Sequence, residues 1–151
     1  MKTLNLPSYQ FNLIEENKKT KIFDAIRKKY FVLTPEEWVR QNVVRYLVEE
    51  KSFPANLIAI EMGLKLNGLQ KRADIIVYSK TGKPILMVEC KAPHIKIDQK
   101  VFDQIGRYNI TFKLPYLIVT NGMEHFCAQI DFNIKNFSFL KEIPNYENLK
   151  A

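Results

Sequence analysis

Three short unbroken apolar runs constrain this chain more than any other feature: Ile75-Ile76-Val77, Ile85-Leu86-Met87-Val88 and Tyr116-Leu117-Ile118-Val119. They are too short for helices and rich in β-branched residues, so they read as strands of a sheet covered on both faces. Ahead of them, Leu57 to Leu66 alternates, with Ile58, Ile60, Met62, Leu64 and Leu66 on one face and Ala59, Glu61, Gly63 and Lys65 on the other. Asn67-Gly68 suits a hairpin turn, and Ser79-Lys80-Thr81-Gly82-Lys83 a second one, giving a three-stranded meander. A helix is expected over 35–51: Thr34 is an N-cap, Pro35 suits the first turn and Glu37 is placed for a capping box. Val39, Val43, Tyr46 and Leu47 form its apolar stripe, and Pro54 helps to end it. A second helix is expected over 98–112 with Val101, Ile105 and Tyr108 on one stripe, then the strand Tyr116 to Thr120 and a return strand from Glu124 to Ile130. Residues 10–23 suggest a hairpin, with a helix as the competing reading. The result is an α/β fold in αβββαββ order, a mixed sheet of four to five strands flanked by helices.

The 151 residues suit one domain, with a core over about 34–131 and a tail over 132–151 whose aromatics (Phe132, Phe137, Phe139) pack on the surface. No apolar run reaches the roughly 18 residues of a membrane helix, and the start has no signal-peptide core, so a cytoplasmic protein without membrane contact is expected. Cys90 and Cys127 lie in strands and read as small buried residues; no C-x-x-C pair or His/Cys cluster suggests zinc. Nucleophile-elbow and dinucleotide signatures are also missing from the sequence. With 23 Lys and Arg against 16 acids, the formal charge of +7 favours a nucleic acid or another anionic partner. That charge is dispersed over short clusters: Lys18-Lys19, Arg27-Lys28-Lys29 and Lys71-Arg72.

Charged residues interrupt the apolar strands at Asp74, Glu89 and Lys91. A carboxylate in such a run is costly to desolvate unless paired or metal-bound. Glu89 and Lys91 are two apart and share a strand face, while the turn at Ser79 to Lys83 makes Asp74 their neighbour at a sheet edge or strand fork. Two carboxylates and an ammonium suit phosphodiester hydrolysis with Mg²⁺, or Mn²⁺, held by hard oxygen ligands. Lys91 would position or deprotonate the attacking water or stabilise the transition-state charge. The bland alternative is a strand-end salt bridge of Asp74 or Glu89 with Lys91 or Arg72.

Arg72-Ala73-Asp74, fourteen residues, then Glu89-Cys90-Lys91-Ala92-Pro93 resembles the motif of the PD-(D/E)xK nuclease superfamily. More narrowly, the chain resembles the amino-terminal nuclease domain of type I restriction enzyme R subunits, in this block and in Thr34 to Gln41 and Thr120-Asn121-Gly122. The resemblance implies a restriction-endonuclease-like core, Mg²⁺ dependence, DNA as substrate, Asp74 and Glu89 as metal ligands and Lys91 as catalytic lysine. Ala73 departs from the proline of the superfamily name, at a position that ligates no metal. Gln104 and Tyr108, four apart on a helix, resemble the Q-x-x-x-Y element beside such cores; packing of Tyr108 and backbone capping by Gln104 explain them equally well. An acid from the first helix often completes the metal shell in this superfamily: Glu37 is the candidate, near Arg40 and Gln41, with Glu61 as competitor. Lys71, Arg72 and Arg107 flank the site as candidate DNA contacts. His94 reads as a loop residue and Trp38 as core.

A Walker-type Gly-x-x-x-x-Gly-Lys segment is missing, so the chain carries no motor of its own and restriction would need motor or specificity subunits, or a homo-oligomer, as partners. Two readings follow. The chain is a metal-dependent deoxyribonuclease of restriction or defence type, or it is a non-catalytic DNA- or protein-binding module on the same fold.

Overall fold

The structure, a computed structural model, describes residues 1–66 and 69–150, with side chains for all of these except residues 62–71, 108 and 111. The expected Asn67-Gly68 turn, the outer half of the Leu57 to Leu66 alternation and the side chains of Lys71 and Tyr108 lie outside the described residues.

Two sheets form. The first is an antiparallel meander of β1 (Leu13–Glu16), β2 (Lys19–Asp24) and β3 (Lys29–Val32), so the expected hairpin over 10–23 is extended by a third strand. Helix α1 (Pro35–Glu50) follows. The second sheet has the order β4 (Ile58–Leu66), β5 (Leu69–Tyr78), β6 (Pro84–Cys90), β7 (Tyr116–Thr120), β8 (His125–Asp131) and β9 (Asn136–Leu140). Only β6 and β7 pair in parallel, joined through α2 (Gln99–Phe112); the other pairs are antiparallel. The sheet therefore has six strands, not four to five. The added strand is β9, in what was expected to be a surface tail: Phe137 and Phe139 carry too few apolar neighbours in sequence to mark a strand, and β8 supplies the partner.

The helices form as their caps dictate. Thr34 Oγ1 accepts the Glu37 amide at 3.0 Å, and Asp98 Oδ1 accepts that of Val101 at 2.9 Å. The capping box of α1 is only half made, because the Glu37 carboxylate turns to Arg27, Arg40 and Gln41 instead of reaching back to the cap. Helix α2 ends where Lys113 adopts a left-handed φ of 57°, and the buried Asn109 amide donates to the Leu114 carbonyl at 2.8 Å.

Each sheet face carries one helix. Val39, Val43 and Leu47 of α1 pack with Ile75, Val88 and Ile118, whereas Phe102, Ile105 and Phe112 of α2 pack with Ile76, Met87 and Leu117. Neighbouring strand residues serve opposite faces, which is why the runs are apolar without interruption. Trp38 is only partly buried against the α1-side core, its indole donating to the Lys2 carbonyl at 2.8 Å.

Candidate active site

Strands β5 and β6 pair from Tyr78 to Ile75, where Ile75 faces Val88, and then part. The residue at the parting is Asp74. Its Oδ2 accepts the Cys90 amide at 2.7 Å, so a side chain continues the ladder where the backbone no longer does. Strand β6 meanwhile stays with β7: Glu89 faces Val119, Cys90 faces Thr120, and the Lys91 amide donates to the Thr120 carbonyl at 2.8 Å. A strand fork thus brings Asp74 beside the Glu89-Cys90-Lys91 segment.

Alternation breaks at the fork. Ile75 and Val77 pack on the α1 side, yet Ala73 packs on the α2 side with Ile76. The slip turns Asp74 toward α1, where its Oδ1 lies 3.3 Å from Arg40 Nη1. Across the sheet, Glu61 sits between the pairs Ile60 to Ile75 and Met62 to Ala73, and it carries a φ of 53°. A non-glycine residue there costs of order 1 kcal/mol or more, so its surroundings must hold it. They do so through charge: Glu61 Oε1 takes Arg40 Nη1 at 3.0 Å, and Oε2 takes Arg72 at 3.3 Å and Arg27 at 3.7 Å. Alternation puts Glu61 on the face opposite Ile58 and Ile60, but this kink turns its carboxylate to Arg40 on the α1 side, where those two pack.

Arg40 is the hub of a buried ionic network. Its Nη2 lies 3.1 Å from Glu37 Oε1, which Arg27 Nη2 also contacts at 2.9 Å, and Gln41 bridges Glu37 to the fully buried Asp24. Burial opposes the Arg40 charge, but Glu37, Asp74 and Glu61 outweigh it and hold the guanidinium more firmly protonated than usual. For Asp24 and Glu61, burial likewise pushes the carboxyl up and is outweighed: the Arg27 backbone and side chain with Gln41 hold Asp24 low, and Arg40, Arg27 and Arg72 hold Glu61 low.

Glu37 is thus committed to Arg27, Arg40 and Gln41 and faces away from the role foreseen for it. Glu36 is exposed yet feels the fork: partial desolvation and then the Asp74 charge push its carboxyl up, while Arg40 and Lys91 pull it down. Sequence reasoning passed over Glu36, although it precedes Arg40 by one helical turn. The usable signal was that Glu37, Arg40 and Gln41 crowd next to the apolar stripe of α1 and therefore need internal partners.

The other candidate residues spread around the fork. Glu89 is buried at 8% exposure, and by alternation it follows Met87 toward α2 while Val88 and Cys90 belong to the α1 face. Lys91 is half-buried, Arg72 and Arg107 are exposed, and Gln104 is exposed on α2. His94 is exposed, as a loop residue should be. Behind Lys91, Asn121 donates to the Ile95 carbonyl at 2.8 Å and accepts the Met123 and Glu124 amides, so the loop after β7 braces the loop after β6. Cys90 and Cys127 are buried unpaired thiols; burial first, and for Cys90 the Asp74 charge next, raise both, and Cys127 reaches about 12. Neutral thiols of this kind are poor ligands.

Among the described residues no three His, Cys, Asp or Glu side chains form a preformed metal cage. Asp74 by itself suits a hard ion that keeps several waters, since it gives one lone pair to Cys90 and one to Arg40 and keeps one on each oxygen; Glu89, on the α2 face by alternation, would join it only by turning round the end of β6.

Residues 35–144 match the family described as the type I restriction enzyme R protein N terminus. The chain belongs to that family, so it is a domain of restriction-system type. In fold it is similar to a solved fragment of a candidate HsdR subunit of a type I restriction enzyme from Vibrio vulnificus YJ016, with a TM-score of 0.54 and 24% identity. That match covers 78% of this chain but only 24% of the other, so the chain spans about a quarter of that protein's length. No curated protein matches the chain.

Proposed function

We propose that this chain is a nuclease domain that hydrolyses DNA phosphodiesters with Mg²⁺ or Mn²⁺ as cofactor. The observation that carries the reading is the fork, where the Asp74 carboxylate bonds the amide between Glu89 and Lys91. Asp74 would hold the ion on the α1 side, and Glu89 would have to turn round the end of β6 from the α2 face to share it; Glu37, held by Arg27, Arg40 and Gln41, is not available to them. A bound divalent ion would supply Lewis acidity and neutralise charge on the phosphate. Arg40 fixes one oxygen of Asp74 and the Cys90 amide fixes the other, so the carboxylate is oriented before substrate arrives. Lys91 would orient the attacking water or stabilise the developing negative charge. Gln104, Tyr108 and Arg107 on α2, with Lys71 and Arg72 on β5, would meet the DNA backbone around the fork.

Purified protein incubated with supercoiled DNA and each metal should nick it, and Lys91→Ala and Asp74→Ala should lower the rate by about a hundredfold or more. Absence of nicking at every metal concentration would sink the reading, as would a fully active Lys91→Ala.

A second reading is supported by Arg40, a cation already lodged against Asp74. On that reading the domain binds DNA or a partner protein without cutting. It predicts no shift of melting temperature with Mn²⁺; a shift lost in Asp74→Ala argues against it. Motor and specificity subunits, and a cytoplasmic setting, belong to the proposal. Among the described residues no helix is long and apolar enough to cross a membrane.

A further inference from the structure

The sheet β1–β3 precedes the residues matched by the family, and its β2–β3 turn is built as a rigid projection against the candidate site. Asp24, fully buried at the end of β2, accepts the Ile26 and Arg27 amides on Oδ1 at 2.8 and 2.9 Å, and its carbonyl takes the Lys28 amide at 2.7 Å. This aspartate-capped turn places Lys28 at a left-handed φ of 58°. Arg27 leaves the turn to bind Glu37 at 2.9 Å and Glu61 at 3.7 Å, and its guanidinium stacks 3.4 Å over Phe31. Glu37 and Glu61 are the carboxylates that also hold Arg40 on Asp74. Three ion pairs in series, Arg27 to Glu37 or Glu61, then to Arg40, then to Asp74, therefore link the turn to Asp74.

What this frame presents outward is positive. Lys28 and Lys29 are exposed, and among the described ion pairs neither has an acidic partner; Lys29 leans on the Phe31 ring at 5.5 Å. Arg72, with its side chain 72% exposed, joins the same frame through Glu61. Exposed lysines ordinarily need no partner. These two differ in being carried on a turn fixed by a buried carboxylate and tied to the groups around the fork, so the backbone that presents them loses little further freedom on binding an anion.

We propose that the β2–β3 turn, through Lys28 and Lys29 together with Arg72, is a phosphate-gripping rim that seats the DNA backbone on the α1 flank of the fork. The inference rests on the nuclease reading of the neighbouring site and extends it to a segment outside the family match. Each phosphate that the rim neutralises releases counterions, so each lysine contributes about 0.9 to the slope of log affinity against log salt.

The test is fluorescence anisotropy of the full chain with a labelled 20-base-pair duplex in EDTA, across a salt series. Lys28→Glu/Lys29→Glu is compared with Lys18→Glu/Lys19→Glu, the same charge change on the same sheet at the other end of β2. The rim predicts a loss of about tenfold or more and a slope lower by about 2 for the first pair, with the second pair within about threefold of wild type. Equal losses for the two pairs, or none for the first, overturn it. Lys28→Asn/Lys29→Gln, which keeps a residue tolerant of left-handed backbone at the turn, should lower the slope by the same amount and guards against misfolding of the charge-reversed variant. Intact binding by these variants alongside loss of cleavage in Asp74→Ala overturns the rim and leaves the nuclease. A normal rim effect in a protein that nicks DNA with neither Mg²⁺ nor Mn²⁺ overturns the nuclease instead.

Discussion

The two faces of the six-stranded sheet are held by different physics. On the α2 side, Phe102 packs against Phe126, Phe137 and Phe139 with ring centroids 4.7–6.4 Å apart, and apolar contact dominates, with the Asn109 amide bonded to the Leu114 carbonyl and Glu89 as buried polar groups. On the α1 side an apolar core of similar make-up ends, at the fork, in the buried ions of Asp24, Arg27, Glu37 and Arg40. Dispersion and burial are non-directional and tolerate rearrangement. Buried ion pairs contribute little net stability, because desolvation offsets their attraction, but they fix atoms in place. The face that carries the network of buried ion pairs is the one that orients Asp74.

Four measurements test whether the two faces differ in this way. The largest effect is expected for Arg40→Met, which takes the guanidinium from Asp74 and one of two from Glu37 and should cost about 3–5 kcal/mol in urea unfolding. If Arg40→Met combined with Glu37→Gln restores most of that loss, the network specifies geometry rather than stability; additive losses would contradict this. Phe102→Leu on the other face should cost about 1–2 kcal/mol and leave DNA affinity untouched. A change in affinity would mean that the faces are coupled.

The third measurement is pH. The folded Asp24 carboxyl lies below its ordinary 3.8, so its contribution to stability is present above that value and is lost as pH falls through the depressed folded value. The stability gap between wild type and Asp24→Asn should therefore close on acidification below about 4, whereas the gap for Phe102→Leu should stay constant. The smallest effect is expected for Gly106→Ala in α2. The new Cβ would stand 2.7 Å from Phe137 Cε1, a ring at the half-exposed edge that can shift, and the helix gains alanine's propensity of about 1 kcal/mol. A net change within about 1 kcal/mol is expected by thermal melting; a larger loss would show the aromatic face to be as unforgiving as the ionic one.

Much of the fold was legible in the sequence because its signals are local. The caps Thr34 and Asp98, the apolar runs of β5, β6 and β7, and the Glu89-x-Lys91 spacing depend on neighbours within a few residues. Strand β3 and strand β9 were missed because short half-exposed strands such as Lys29–Val32 and Asn136–Leu140 acquire their identity from the strand they pair with.

For the candidate site, the residue types at Asp74, Glu89 and Lys91 and their interruption of apolar strands are readable from the order of residues alone. Three-dimensional packing sets the rest: β5 and β6 part at Asp74, the alternation slips there to face α1, and Glu37 answers to Arg27 and Arg40 while Glu36 feels the charge of Asp74. The reason is physical. A left-handed residue at Glu61 and a network spanning Asp24 to Asp74 join groups up to fifty residues apart, and no periodicity along the chain encodes which carboxylate a buried guanidinium will choose.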